Sequence, residues 1–191
     1  MSGTERVARR GAWVFLAAGL AALGYATYLA LDSKVYQAVE QRRFERARQD
    51  AAAVPAFVEG GSIGQIGIPR LGLAAMVAEG DSASVLQRAV GHLAGTALPG
   101  EPGNVVLAGH RDTFFRPLKQ VRVGDVILLK THRGDFEYLV ESTAVVPPTA
   151  VEVLQPTRAR TLTLITRFPF AYVGAAPDRF IVRARERAGP H

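Results

Sequence analysis

Three side chains stand out by type and place: His110, Arg167 and Arg179. His110 closes the apolar run Val105 to Ala108, one glycine further on, and Arg111-Asp112-Thr113 behind it suits a turn and a helix cap before Phe114. A histidine at such a strand-to-loop junction has the pKa of a proton shuttle, although taken alone it is most often an ordinary hydrogen-bonded residue. Arg179 follows Pro177-Asp178 and leads Phe180 to Val182; by itself it reads as a solvated charge at a strand end. Arg167 ends the run Thr161 to Thr166 and cannot attack a carbonyl, since a guanidinium stays protonated and offers no lone pair. The chain has no cysteine, which excludes disulfides, cysteine metal sites and thiol catalysis together. His92 and His132 lack a comparable setting and His191 is terminal, so all three read as ordinary residues.

The elements that must position these groups are strands. Thr161 to Thr166 is β-branched or apolar without a break, and Phe180 to Val182 repeats the pattern after a loop punctuated by Phe168-Pro169-Phe170 and Ala176-Pro177-Asp178. Side chains alternate along a strand, so if position 167 faces a groove, Thr166 faces away from it. From Ile63 onward, short apolar runs separated by Gly, Pro and Asp turns predict an all-β sandwich or barrel. The expected strands are 63–68, 73–78, 104–108, 126–130, 136–146, 151–154, 161–166 and 179–185, with a short helical turn capped by Asp81 or Ser82. Internal repeats, low-complexity blocks and metal-ligand clusters are absent from the sequence.

Thr163 to Phe170, TLITRFPF, resembles the sortase signature TLxTC followed by an aromatic-Pro-aromatic segment. Ala176 to Val182 resembles the strand carrying the sortase arginine, and Gly100-Glu101-Pro102-Gly103-Asn104 with Ala108 to Thr113 resembles the histidine segment in its class D version. The resemblance runs from about Ile63 to Arg185, and Arg167 stands at the position of the nucleophilic cysteine. It implies an eight-stranded sortase β-barrel with short helices. It also implies roles for the site residues: His110 as general acid and base, Arg179 positioning substrate and stabilising an oxyanion, and Thr166 in support. A permanently charged, multi-donor guanidinium suits the negative charge that develops in acyl transfer. The family reaction, cysteine transpeptidation of an LPxTA/G-like sorting signal onto an envelope amine, needs sulfur to hold the peptide as a thioester. With Arg167 in that place the reaction is expected to be lost or crippled, leaving as the alternative a module that binds sorting signals or scaffolds envelope proteins. No cofactor or metal is implied.

Ahead of the domain, Ala12 to Leu31 is uncharged and, at 1.5 Å per helical residue, reaches roughly 30 Å, a bilayer core. Arg6, Arg9 and Arg10 precede it, which places the N-terminus in the cytoplasm and the domain outside. A cleaved signal peptide fits less well, because the apolar run is long and Ala30-Leu31-Asp32 is a poor cleavage site. Ser33 to Ala53 is free of Gly and Pro and reads as a helical stalk stopped by Val54-Pro55, with Glu59-Gly60-Gly61-Ser62 as a hinge. The expected organisation is a cytoplasmic tail (1–11), a transmembrane anchor (12–31), stalk and linker (32–62), a sortase domain (63–186) and a tail (187–191). The net charge of +6 is shared between the N-terminal region and the domain, so no basic face argues for nucleic acid.

Overall fold

The computed structural model describes residues 3–49, 59–172, 174 and 176–187. One long helix, α1 (Gly3–Gln49), precedes eight strands: β1 (Ser62–Ile68), β2 (Leu73–Glu79), β3 (Val90–His92), β4 (Asn104–Ala108), β5 (Val126–Thr131), β6 (Gly134–Val146), β7 (Thr161–Phe168) and β8 (Asp178–Glu186). A short helix α2 (Ala83–Arg88) links β2 to β3. The strands close a barrel in the order β1-β2-β3-β4-β7-β8-β6-β5, with β2/β3 and β4/β7 parallel and the other pairs antiparallel. Closure leaves no free edge, and alternation sends Ile66, Ile68, Val105, Leu107, Leu129, Leu162, Leu164 and Val182 into one core.

Two strand assignments differ from expectation. Val151–Leu154 is a 3-10 helix, not a strand: it lies between Pro147-Pro148 and Pro156, and Asn104 takes its Val153 carbonyl at 3.0 Å. Its β-branched residues had no ladder to join. The eighth strand is β3, whose three residues are too short and too glycine-rich to show periodicity. Gly91 is required there, since a Cβ would lie 2.3 Å from the Gly80 carbonyl oxygen.

Helix α1 is apolar and long enough to cross a membrane, with Trp13, Phe15, Leu20 and Leu23 exposed, and beyond Leu31 it docks on the barrel. Asp32 pairs with Arg88 at 2.7 Å, and Arg48 with Asp135 at 2.5 Å. Phe44 is buried edge-on against His132. Between these contacts the Gln37 amide accepts from the Met76 N–H (2.7 Å) and donates to the Arg88 carbonyl (2.6 Å). Met76 lies just before the β2/β3 ladder begins at Val77, so Gln37 fills a gap in the wall as a surrogate peptide group. Tyr36 and α2 cover the outer side of β2 at Ala78. The Glu59-to-Ser62 stretch, expected as a hinge, is tied at its barrel end by Gly60 N–H to the Glu79 carbonyl and Glu79 N–H to the Gly61 carbonyl. The expected helix stop at Val54-Pro55 and His191 lie outside the described residues.

Candidate functional site

Leu162 and Leu164 point into the barrel, so Thr163, Ile165 and Arg167 point out of it. The β4/β7 register sets Ala108 beside Ile165, and the β7/β8 register sets Ile181 opposite Ile165 and Arg179 opposite Arg167. These side chains form one outer strip across β4, β7 and β8. Val146 to Leu154 overhangs it, enclosing a cleft of about 210 Å³ lined by Ala108, Ile165, Ile181, Arg179 and the overhang.

The overhang is fixed by polar groups on the same outer face. Asn104 donates to the Val153 and Gln155 carbonyls and accepts from the Thr163 hydroxyl at 2.7 Å, while Arg183 donates to the Val153 carbonyl at 3.3 Å. Asn104 and Thr163 are buried, so these bonds form away from competing water.

His110 leaves the end of β4, where the Gly109 N–H binds the Ile165 carbonyl. The chain then folds tightly over buried Phe115, whose N–H returns to the His110 carbonyl at 3.0 Å. A Cβ on Gly109 would meet the Phe115 ring at 2.7 Å, which accounts for the glycine. Half-buried, His110 lines a second cavity of about 560 Å³ with Leu73, Phe114 and Pro117 from the barrel and Asp32 and Lys34 from α1. Burial, and then the nearby Arg167 charge, lower its pKa below the usual imidazole value, against a smaller opposing effect of Asp112. Neutral imidazole therefore faces the guanidinium, free to accept a proton.

Arg167 is exposed and Thr166 buried, in agreement with strand alternation. The Thr166 hydroxyl donates to the Gly109 carbonyl at 2.7 Å, which ties the end of β7 to the histidine segment. The structure thus brings His110, Arg167 and Arg179 to one end of the barrel, with Thr166 beneath them.

Arg111 was missed as more than a turn residue. It is 7% exposed and donates to the Pro169 carbonyl (2.8 Å) and the Tyr172 carbonyl (2.5 Å), with its guanidinium over the Tyr172 ring. It clamps the β7–β8 loop to the segment carrying His110. Phe168, Phe170 and Phe180 pack together beneath that loop, which includes a cis Phe168-Pro169 peptide. A buried arginine in a sequence rich in charged turns gave no signal of this. By contrast, His92 is buried between Glu79 and the Ala97 carbonyl and His132 packs on Phe44, both in structural settings. Among the described residues no cluster of three or more His, Cys, Asp or Glu could hold a metal.

A closed eight-stranded barrel with a histidine and an arginine at one end of its β4/β7/β8 wall defines a class, and the sortase domain model matches residues 66–187: the chain belongs to the sortase family. Among its relatives, sortase D of Bacillus subtilis is 31% identical over 186 residues, covering 87% of this chain and 92% of the relative. A Clostridium perfringens sortase D5 transpeptidase superposes with a TM-score of 0.68 at 28% identity, covering 82% of this chain and 99% of that one. A Clostridium perfringens sortase C, solved with a C-terminal cell wall sorting motif, gives 0.64 at 26% identity, covering 76% of this chain and 86% of that one.

Proposed function

We propose that this chain is a membrane-anchored sortase-family protein whose β7/β8 cleft receives sorting-signal peptides but whose transpeptidation chemistry is lost. In this reading residues 12–31 span the bilayer, residues 1–11 are cytoplasmic and the domain of residues 63–186 lies outside. A peptide of the LPxTA/G type lies along the strip of Ala108, Ile165 and Ile181. With a thiol at position 167, His110 would take the thiol proton, pass it to the leaving amine and later deprotonate an incoming envelope amine, and Arg179 would meet the developing oxyanion. Arg167 occupies the place of the attacking sulfur. The observation that carries the reading is the β7/β8 rung itself: a cysteine-free chain presents arginine at 167, directly opposite Arg179, which lines the cleft.

Arg167→Cys tests it. The substitution puts a thiol beside a permanent positive charge that favours the thiolate. Mass spectrometry of Arg167→Cys with an LPxTA-like peptide is expected to show an acyl adduct and amine-dependent transfer, both lost in Arg167→Cys/His110→Ala. The unaltered chain is expected to show neither. Turnover by the unaltered chain would falsify the dead-nucleophile reading. A folded Arg167→Cys protein that remains inert across several sorting motifs favours the second reading, a binding or scaffolding module, which the intact cleft also supports.

A further inference from the structure

The Arg167/Arg179 rung has a feature that a vacant nucleophile position does not require. Residues directly opposite on antiparallel strands hold their Cβ atoms about 5 Å apart, and like charges so placed repel. Neither guanidinium has a carboxylate in ion-pair distance among the described residues; Arg179 donates to the backbone carbonyl of Asp178, and nearby Asp112 is engaged by Arg111 at 3.4 Å. Arg179 lines the cleft, whose mostly apolar wall also includes Asp81, and Arg167 faces Arg179 across the rung; two facing cations beside such a cleft suit an anionic ligand that carries its own apolar part.

The geometry points to a carboxylate clamp: we propose that Arg167 and Arg179 together hold the free C-terminal carboxylate of a peptide whose preceding residues lie in the cleft. The proposal rests on the reading that the cleft takes sorting-signal peptides, and it names the form preferred, a cleaved signal and not an intact one. The overhang, pinned through Val153 to Asn104 and Arg183, limits the strip beyond the Thr163/Arg183 rung and leaves its other end at the Arg167/Arg179 rung, where the proposal puts the peptide's C-terminus. A carboxylate there has two oxygens to accept from two donor forks, whereas an unbroken peptide offers one neutral carbonyl. Free phosphate would satisfy the charges but leave the apolar lining of Ile165, Ile181, Pro147 and Val151 uncovered.

The test uses the full chain in detergent micelles and a fluorescent Leu-Pro-Xaa-Thr peptide in three forms: free carboxylate, C-terminal amide, and extended by alanine amide. The carboxylate form is expected to bind at least tenfold more tightly than either other form. That advantage should shrink as salt rises from 0.1 to 0.5 M, because the ions are partly exposed. Arg167→Gln is expected to narrow the advantage of the carboxylate form, Arg179 remaining, and Arg167→Gln/Arg179→Gln to abolish it, with circular dichroism confirming that each variant is folded. Equal affinity of all three for the unaltered chain overturns the clamp and leaves the cleft reading standing. Binding of none overturns the cleft reading and the clamp with it. Displacement of the carboxylate peptide by millimolar inorganic phosphate as readily as by unlabelled peptide also overturns the clamp, showing a general anion site.

Discussion

If Arg167 stands in place of a nucleophile, as proposed, it does two separable things: it removes an attacking electron pair and it imposes a charge on its neighbours. His110 reports the second. Its pKa is depressed first by burial and then by Arg167, so Arg167→Ala should raise it part of the way to the ordinary value near 6.5, leaving the burial effect. Titration of the imidazole signals by NMR measures this; an unchanged midpoint would separate the two residues electrostatically. The sign for stability follows from linkage. Between the depressed and ordinary pKa the unfolded chain binds the proton more readily, so the contribution of His110 to stability falls as pH drops through about 6.5. Less of that loss should remain in Arg167→Ala. His110, Arg167 and Arg179 could be singled out in the sequence because the segments around them resemble the sortase histidine, cysteine and arginine motifs; their places at strand ends alone read as ordinary. Asn104 and Arg111 could not be assigned, because their partners are backbone carbonyls many residues away, which leave no trace in side-chain type.

Loops at the site are tied by side chains reaching across sequence as well as by their own backbone hydrogen bonds. Arg111 bridges the Pro169 and Tyr172 carbonyls from within the histidine segment, and Arg111→Ala would leave both without that donor. Loss of such charge-assisted bonds costs about 1–3 kcal/mol. We expect faster amide exchange and proteolysis at residues 169–172 in Arg111→Ala, with the barrel strands unaffected; an unchanged loop would mean that the aromatic cluster alone holds it. The strands flanking this loop were legible to within two residues, since hydrophobic runs bounded by Pro and Gly define them. The exchange of Val151–Leu154 for β3 shows the limit of that signal. A short run such as Val-Glu-Val-Leu makes a strand only where a neighbour has free backbone groups, and three residues with a central glycine become one where β2 and β4 supply them.

The expected total of eight strands agrees with the barrel only because the segment at 151–154, which is a 3-10 helix, is offset by the unexpected β3, and which strands are neighbours was not legible at all. The parallel β4/β7 pair brings residues nearly sixty positions apart into register, and nothing local announces it. Also unannounced was the docking of α1, whose stalk reads as an independent solvated helix. Burial of Phe44 contributes roughly 1.5–3 kcal/mol. The two Gln37 hydrogen bonds add about 0.5–1.5 kcal/mol each. A chain beginning at Glu59 should therefore still fold, its barrel being closed, but unfold on the order of 10 °C below one beginning at Asp32. Circular dichroism of both checks this, and equal midpoints would make the stalk contacts incidental.

Docking at both Asp32 and Arg48 lays the barrel alongside the stalk instead of on top of it. With residues 12–31 across a bilayer, the cavity lined by Asp32, Lys34 and His110 opens within a turn of the lipid headgroups. A protein anchored in the way proposed above would search in two dimensions. Its encounters are set by how densely partners populate the membrane surface, and a freely dissolved peptide, however abundant, meets it at a disadvantage against one still tethered to the same sheet of lipid.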